Sequence, residues 1–360
     1  MAKLRIAYVM PSMARGGAER FLLDLISEIK DEAEIKVILF KDGGAFLSQL
    51  SELAAVEVLT KKGTVDIANV FAIAKSIKNF RADIVHTQLG GDIRGRIAAK
   101  MAGVKIIVST EQNTNIGEGF MRRAAKALSS TLADKIVAIS KAVASDMTRR
   151  YLIPRSKQLI IPNGIILSRF PYSERTPRKP AIIGAMGRLN EQKGFDILIK
   201  AWQSLKPDAK LLIAGTGPQE AMLKDLATAE IKEGKIEFMG DIAQPESFLS
   251  SLDLFTMPSR WEGLGIAALE AGASGAGIVA SQVGGLAEFV NDQTGYPAIP
   301  EDKESLRSAI KRALTDLQAG RLATKTAALR KQIEDHYSMK SVGREYLKLY
   351  EKLYEDTTSK

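Results

Sequence analysis

Two α/β domains, each a parallel sheet with helices wound over both faces, are what this sequence predicts. Three observations carry that reading. Strand-length apolar runs rich in β-branched residues alternate with helix-length amphipathic segments along the chain. A stretch dense in proline and charge divides the chain near its middle. Its 360 residues exceed one ordinary domain, and 45% hydrophobic against 26% charged residues leaves enough apolar surface to offset the entropy of ordering two cores.

In the first half the strand-like runs are residues 4–10, 35–40, 56–59, 83–87, 105–109, 135–139 and 158–161; in the second they are 181–187, 210–214, 236–239, 254–257 and 277–280. Helices fill the intervals, so the domains are Rossmann-like and doubly wound. The predicted boundaries are 1–165 for the first domain, 166–180 for a linker, 181–340 for the second domain and 341–360 for a terminal helix. The linker lies within PNGIILSRFPYSERTPRKP, residues 162–180, where four prolines and dense charge suit a hinge exposed between two cores. The openings of the halves, IAYVMPSMARGGAERFLLDLI and IIGAMGRLNEQKGFDILIKAW, both read as strand, loop, glycine and amphipathic helix. Such units facing each other make a cleft. Ligands of these sheets bind beyond the carboxyl ends of the strands, so the cleft is the expected site. In the terminal segment Val342, Tyr346, Leu349 and Leu353 have helical spacing and no strand follows, so this helix is expected to pack back on the first domain.

Composition removes several chemistries. With no cysteine there is no disulfide, thiolate metal site or cysteine nucleophile, which fits a reducing compartment and a cytoplasmic location. With only His86 and His336, a three-histidine zinc site is impossible. No run approaches the ~20 apolar residues that span a bilayer. The opening MAKLRIAYVMPSMARGGAER is ended by Pro11, Arg15, Glu19 and Arg20, so it reads as a buried strand and not as a signal peptide. The net charge of +9 is uneven: residues 1–170 sum to +10 and 171–360 to −1, and the whole excess falls between Arg94 and Arg169. An anionic partner for the first half is expected.

The densest chemical signal is PSRWEGLGIAALEAGASGAGIVASQVGGLAEFV, residues 258–290. It holds Glu262 and Glu270, separated by seven residues, with Gly263 and Gly265 between them. On one helix that spacing advances ~12 Å and turns ~80° past two rotations, so the carboxylates cannot share one small atom but can grip two ends of an elongated ligand. A sugar nucleotide has that shape, and carboxylates accept from vicinal hydroxyls. The alternative is a helix-start Glu262 and a solvated Glu270. Gly215 and Gly217 follow another strand, and Gly284 and Gly285 precede another helix, giving three Gly-rich turns at strand-to-helix transitions. Arg188 and Lys193 lie in the loop GRLNEQKG at the same sheet edge, where two cations can neutralise a diphosphate, or simply be solvated. No Asp-x-Asp pair occurs anywhere, so a metal bridging diphosphate to protein lacks evident ligands, and neither metal nor cofactor is expected. The cations take over the charge of a departing nucleoside diphosphate.

In chain order Gly16-Gly17-Ala18-Glu19, Asn163-Gly164, Gly187-Arg188-Leu189 with Gln192-Lys193-Gly194, Gly215-x-Gly217-Pro218, Pro258-Ser259 and Glu262-Gly-Leu-Gly-x3-Leu-Glu270-Ala resemble the family 4 retaining glycosyltransferases of GT-B fold. The resemblance spans nearly the whole chain. It implies that Arg188 and Lys193 hold the donor diphosphate, Glu262 the transferred sugar and Glu270 the ribose. It also implies that backbone N–H groups around Leu264, Gly265 and Ile266 meet sugar and phosphates, and that the Gly16-Gly17 turn approaches the diphosphate from the acceptor-side domain. Where many members read Thr-Glu-His-Asn, this chain reads Thr110-Glu111-Gln112-Asn113; Gln112 donates a hydrogen bond there but cannot titrate.

On the acceptor side, His86 follows a buried strand at its carboxyl end, where it faces the expected cleft or serves as a hydrogen-bonded loop residue. Residues 117–134 put Met121, Ala125, Leu128 and Leu132 on one helical face and Arg122, Arg123 and Lys126 toward another. Such a helix either lies on an anionic membrane or buries its apolar face in the domain core. The leading function is transfer of a sugar, with retention, from a nucleoside diphosphate sugar to a glycan or lipid-linked acceptor, with peripheral contact at the cytoplasmic membrane face. The alternatives are a nucleotide-sugar epimerase, a phosphorylase, or a non-catalytic glycan or nucleic-acid binder. A phosphorylase needs a longer chain and a cofactor lysine; nucleic acid is not expected, because aromatics are only 6% and no RNA-binding motif appears.

Overall fold

A computed structural model describes residues 3–59, 67–114 and 117–359. The first two residues of the predicted first domain, its residues 60–66 and 115–116, and Lys360 of the terminal helix lie outside the described residues. The chain divides into two compact units, Met1–Gly164 with Met339–Lys360, and Ile165–Ser338.

In the first unit the described strands are β1 (Leu4–Met10), β2 (Ala33–Leu39), β3 (Ala55–Val58), β4 (Ile84–Gln88), β5 (Ile106–Glu111), β6 (Lys135–Ala138) and β7 (Gln158–Ile160). They form one parallel sheet in the order β3-β2-β1-β4-β5-β6-β7. The second unit carries β8 (Ala181–Met186), β9 (Ala209–Ala214), β10 (Ile236–Gly240), β11 (Leu254–Met257), β12 (Gly277–Ser281) and β13 (Tyr296–Ala298), all parallel, in the order β10-β9-β8-β11-β12-β13. Both sheets are doubly wound, as expected. The strand order reverses between β1 and β4 in one sheet and between β8 and β11 in the other, and a crevice opens at the carboxyl ends of strands where the order reverses. β13 escapes the sequence reading because it is three residues long and contains Pro297, which the ladder tolerates at a sheet edge.

The stretch expected as an exposed linker is exposed over residues 171–180 apart from the half-buried Arg175, but side chains anchor it to the second unit. Phe170 is buried, Arg169 pairs with Glu246, the Arg175 Nε donates to Leu252 O at 2.7 Å, and the Arg178 Nε donates to Asp253 Oδ2 at 2.7 Å. Three of its arginines thus have fixed partners, and the unit boundary falls at Gly164 and again at Ser338.

The terminal helix, Met339–Thr358, packs on the Gly17–Ile29 helix of the first unit. It drives Tyr346 and Tyr350 into the core, against the position of His86. His86 stacks on Tyr8 at 5.1 Å; its Nδ1 lies 2.6 Å from the Tyr350 hydroxyl and its Nε2 2.8 Å from Thr110 Oγ1. The hydroxyls of Tyr8 and Tyr350 share a hydrogen bond at 2.9 Å. His86 is the third residue of β4 and fully buried, which corrects its expected place after the strand, facing a cleft.

Burial drives the His86 imidazole down to about 3, well under the ~6.5 of an unfolded histidine. Between those values the unfolded chain binds a proton that the folded chain excludes, so this contribution is complete above pH ~6.5 and is lost as pH falls toward 3. Between about pH 6 and pH 4 the unfolding free energy of the wild type is expected to drop by about 1 kcal/mol per pH unit more than that of His86→Gln. Urea titrations at each pH measure this; parallel profiles would show that the imidazole is not held neutral.

Candidate active site

The second unit gathers most of the sequence-predicted residues at the switch between β8 and β11. The loop after β8 carries Gly187, Arg188 and, in a short 3-10 turn, Lys193. The loop after β11 carries Pro258, Ser259, Arg260 and Glu262 before the Ile266–Ala273 helix begins. Glu262 is therefore four residues ahead of that helix and only Glu270 lies on it, so the single-helix spacing argued from sequence does not apply. Gly265, at φ 95° in the left-handed region, caps the helix and turns the chain between the two carboxylates.

Backbone contacts lock these loops together. The Arg260 N–H donates to Gln192 O at 2.8 Å, and the Gln192 Nε2 donates to Trp261 O at 3.1 Å. Leu189 N–H donates to Thr216 O, and Gln219 N–H to Leu189 O, each at 2.9 Å, which ties in the turn after β9. A Cβ on Gly215 would sit 2.0 Å from Gly187 O, and one on Gly284 would sit 1.8 Å from Glu262 O. Four strand ends thus meet backbone against backbone, at separations that only glycine permits.

On this frame Lys193 Nζ donates to Glu262 Oε2 at 2.5 Å. Ser259 Oγ donates to the same oxygen at 3.4 Å and Gly263 N–H donates to Oε1 at 3.2 Å, so the buried carboxylate is held at both oxygens. Glu270 is half-buried on the helix that follows. Arg188 is exposed and makes no ion pair among the described residues, which leaves its guanidinium open to an incoming anion. Leu264 and Gly265 are buried and Ile266 half-buried. One clamp was invisible in the sequence: Arg260 grips Asp196 with two hydrogen bonds of 2.8 and 2.9 Å across 64 residues. Burial, which alone raises a carboxyl, is outweighed by this guanidinium, and Asp196 is held below the usual carboxylate range.

In the first unit Gly16 and Gly17 are exposed at the start of the Gly17–Ile29 helix. Gln112 follows β5, and its Oε1 accepts from Asn163 Nδ2 at 2.7 Å. Its Nε2, Asn163 Oδ1 and both side-chain amide atoms of Gln88 are buried with no partner among the described residues, a set the sequence reading missed because no motif marks Gln88.

The basic helix departs from expectation. Lys126 is buried, not displayed: it pairs with Glu111 and, at 3.5 Å, with Asp92, and it lies 4.7 Å over the Tyr151 ring. Burial alone would lower this amine, but Glu111 and Asp92 more than reverse the effect and hold it above the ordinary lysine range. Arg122 stays exposed and donates to Glu118 Oε1 at 2.7 Å, and Arg123 is half-buried.

Residues 15–169 match the family described as Glycosyltransferase Family 4, and residues 169–331 match Glycosyl transferases group 1. Both matches are to glycosyltransferase families and together span residues 15–331, so the chain is a glycosyltransferase. Glycogen synthase of Mycobacterium tuberculosis is 31% identical over 269 residues, which cover 70% of this chain and 65% of that protein. The match therefore takes in just under two thirds of that relative's length. An Escherichia coli UDP-Gal:alpha-D-GlcNAc-diphosphoundecaprenol alpha-1,3-galactosyltransferase is 25% identical, covering 88% of this chain and 89% of that one. The solved structure of Anabaena HepE in complex with UDP and glucose superposes with a TM-score of 0.84 at 20% identity, covering 97% of this glycosyltransferase and 100% of that chain. That likeness fixes the fold as GT-B.

The interlocked turns give a test. Gly215 has φ 123° as well as the backbone contact, whereas Gly234 has φ 69° and open space around it. Gly215→Ala is expected to cost about 3 kcal/mol of unfolding free energy and Gly234→Ala about 1. Denaturant titration compares them; equal losses would show that the loops can separate to admit a methyl group.

Proposed function

We propose that this glycosyltransferase moves a sugar from a nucleoside diphosphate sugar to a glycan or lipid-linked acceptor, with retention at the anomeric carbon and without a metal ion. The observation that carries the reading is the Lys193–Glu262 pair, with an exposed Arg188 that makes no ion pair among the described residues in the same loop after β8. Arg188 and Lys193 take the donor diphosphate, Glu262 accepts from hydroxyls of the transferred sugar, and Glu270 accepts from the ribose. Backbone N–H groups at Leu264, Gly265 and Ile266 add donors where the phosphates and sugar lie, at the start of a helix.

The chemistry follows from charge. As the bond from sugar to diphosphate breaks, negative charge grows on the leaving oxygen, and cations already fixed in place stabilise it without reorganising. Retention follows when that leaving phosphate accepts the acceptor hydroxyl's proton on the face it departs from. Gln112, which cannot titrate, would then donate a hydrogen bond to a sugar hydroxyl and move no proton. The relatives' names support the donor class: the Escherichia coli enzyme is named for UDP-Gal and a diphosphoundecaprenol acceptor. A lipid-linked acceptor of that kind would be met at the cytoplasmic face of a membrane, as a step in building cell-envelope polysaccharide.

Glu262→Ala is expected to slow transfer by roughly a hundredfold or more, with free nucleoside diphosphate binding little changed. Glu270→Ala should weaken that binding by about tenfold, the worth of one charge-assisted hydrogen bond. Calorimetry with UDP, GDP and ADP separates the two effects, and equal affinities for wild type and Glu270→Ala would remove the ribose role. Donor turnover should survive a chelator. Proton NMR of the first-formed product reads the anomeric outcome, and an inverted centre would overturn retention.

A further inference from the structure

The helices Ile67–Phe80, Asp92–Met101 and Phe120–Ser130 lie side by side along one face of the first sheet. The last of them is turned inside out. Lys126, Ser129 and Ser130 point into the protein, while Phe120, Met121 and Leu128 are 76%, 85% and 75% exposed. These three side chains fall on one helical face, together with the exposed Ala124 and Ala125. Met101 on the middle helix and Phe71 on the first are exposed as well.

Charge tells what such a surface fits. The three helices contain a single carboxylate, Asp92, and it is buried against Lys126. Lys75, Lys78, Lys100 and Arg122 are exposed on the same helices, with Arg122 partly offset by Glu118. A second copy docking by this face would set cations against cations with no exposed carboxylate on these helices to meet them. We propose that this helix layer seats the first unit on an anionic lipid bilayer, with Phe120, Met121 and Leu128 entering the headgroup boundary and the lysines lying over it. Apolar side chains flanked by cations are what an interfacial helix uses, each side chain reaching only a few ångströms below the surface.

The inference does not rest on the donor assignment, and its readout is separate. The full chain is sedimented with vesicles of phosphatidylglycerol and phosphatidylcholine, and with phosphatidylcholine alone, at low and high salt. Phe120→Ser, Met121→Ser and Leu128→Ser together should reduce partitioning onto anionic vesicles at least tenfold; because the side chains are exposed, thermal unfolding should not change. Lys75→Gln, Lys78→Gln and Lys100→Gln should each reduce it roughly fivefold, the equivalent of ~1 kcal/mol per cation. High salt should release the wild type. Equal partitioning of wild type and the triple serine variant would overturn the proposal, as would equal binding to neutral vesicles or no binding at low salt. So would a lipid-free dimer in ultracentrifugation that the serine variant dissociates, which would assign the face to a second copy. Donor hydrolysis, measured on the same preparations, can fail or succeed without altering any of these outcomes.

Discussion

Everything at the second unit's site depends on backbone packing against backbone where four strands end. Gly215 lies on Gly187, Gly217 on Leu189, Gly194 on Pro258 and Gly284 on Glu262, each at a distance that leaves no room for a side-chain carbon. Loops packed in this way cannot drift independently. The Lys193–Glu262 pair and the Arg260–Asp196 clamp are therefore formed before any ligand arrives, and electrostatic stabilisation of a leaving group is largest when the charges need not move. Gly187, Gly194, Gly215 and Gly284 take positive φ without steric strain, and the cost of fixing them is the larger backbone entropy a glycine loses.

The first unit is built on the opposite rule, side chain against side chain. His86, Tyr8, Tyr350, Thr110 and Tyr346 form one buried hydrogen-bonded group that fastens the last helix to β1, β4 and β5. Just beyond the carboxyl ends of β4 and β5 the pattern stops. Gln88, Gln112 and Asn163 there keep buried amide atoms without partners among the described residues, and a buried donor or acceptor is costly until something satisfies it. Water or the hydroxyls of a polar ligand must do so. The place where protein–protein satisfaction ends is the switch-point side of the sheet, where the fold itself puts ligands.

The sheets were legible because parallel strands buried on both faces leave continuous apolar runs, and residues 254–257 and 4–10 read directly as β11 and β1. The residues of the second unit's site were legible in part, because glycines at strand ends and the Glu262 and Glu270 pair stand out in the sequence, although Glu262 precedes the helix that carries Glu270. What could not be read is whatever depends on distant partners. Asp196 and Arg260 meet across 64 residues, and the prolines of residues 162–180 suggest a free linker until Arg175 and Arg178 are seen bonding to Leu252 and Asp253. His86 looked accessible because it stands near a strand's end, and only the terminal helix, more than 250 residues later, covers it.

The Phe120–Ser130 helix shows the limit of periodicity most sharply. Its sequence separates apolar from polar faces cleanly, but separation alone does not say which face is inside. That choice is made by Glu111 at the end of β5 and Asp92 at the start of the neighbouring helix, two carboxylates already committed to the interior. Leaving both there with only the buried Arg96 to offset them would cost several kcal/mol, the same order as exposing a phenylalanine, a methionine and a leucine. Lys126 therefore turns inward, Ser129 turns with it to accept from buried Arg96 at 3.1 Å, and the apolar face has nowhere to go but out. An interior need for one positive charge thus leaves a surface that is apolar and, by the same count, nearly free of negative charge.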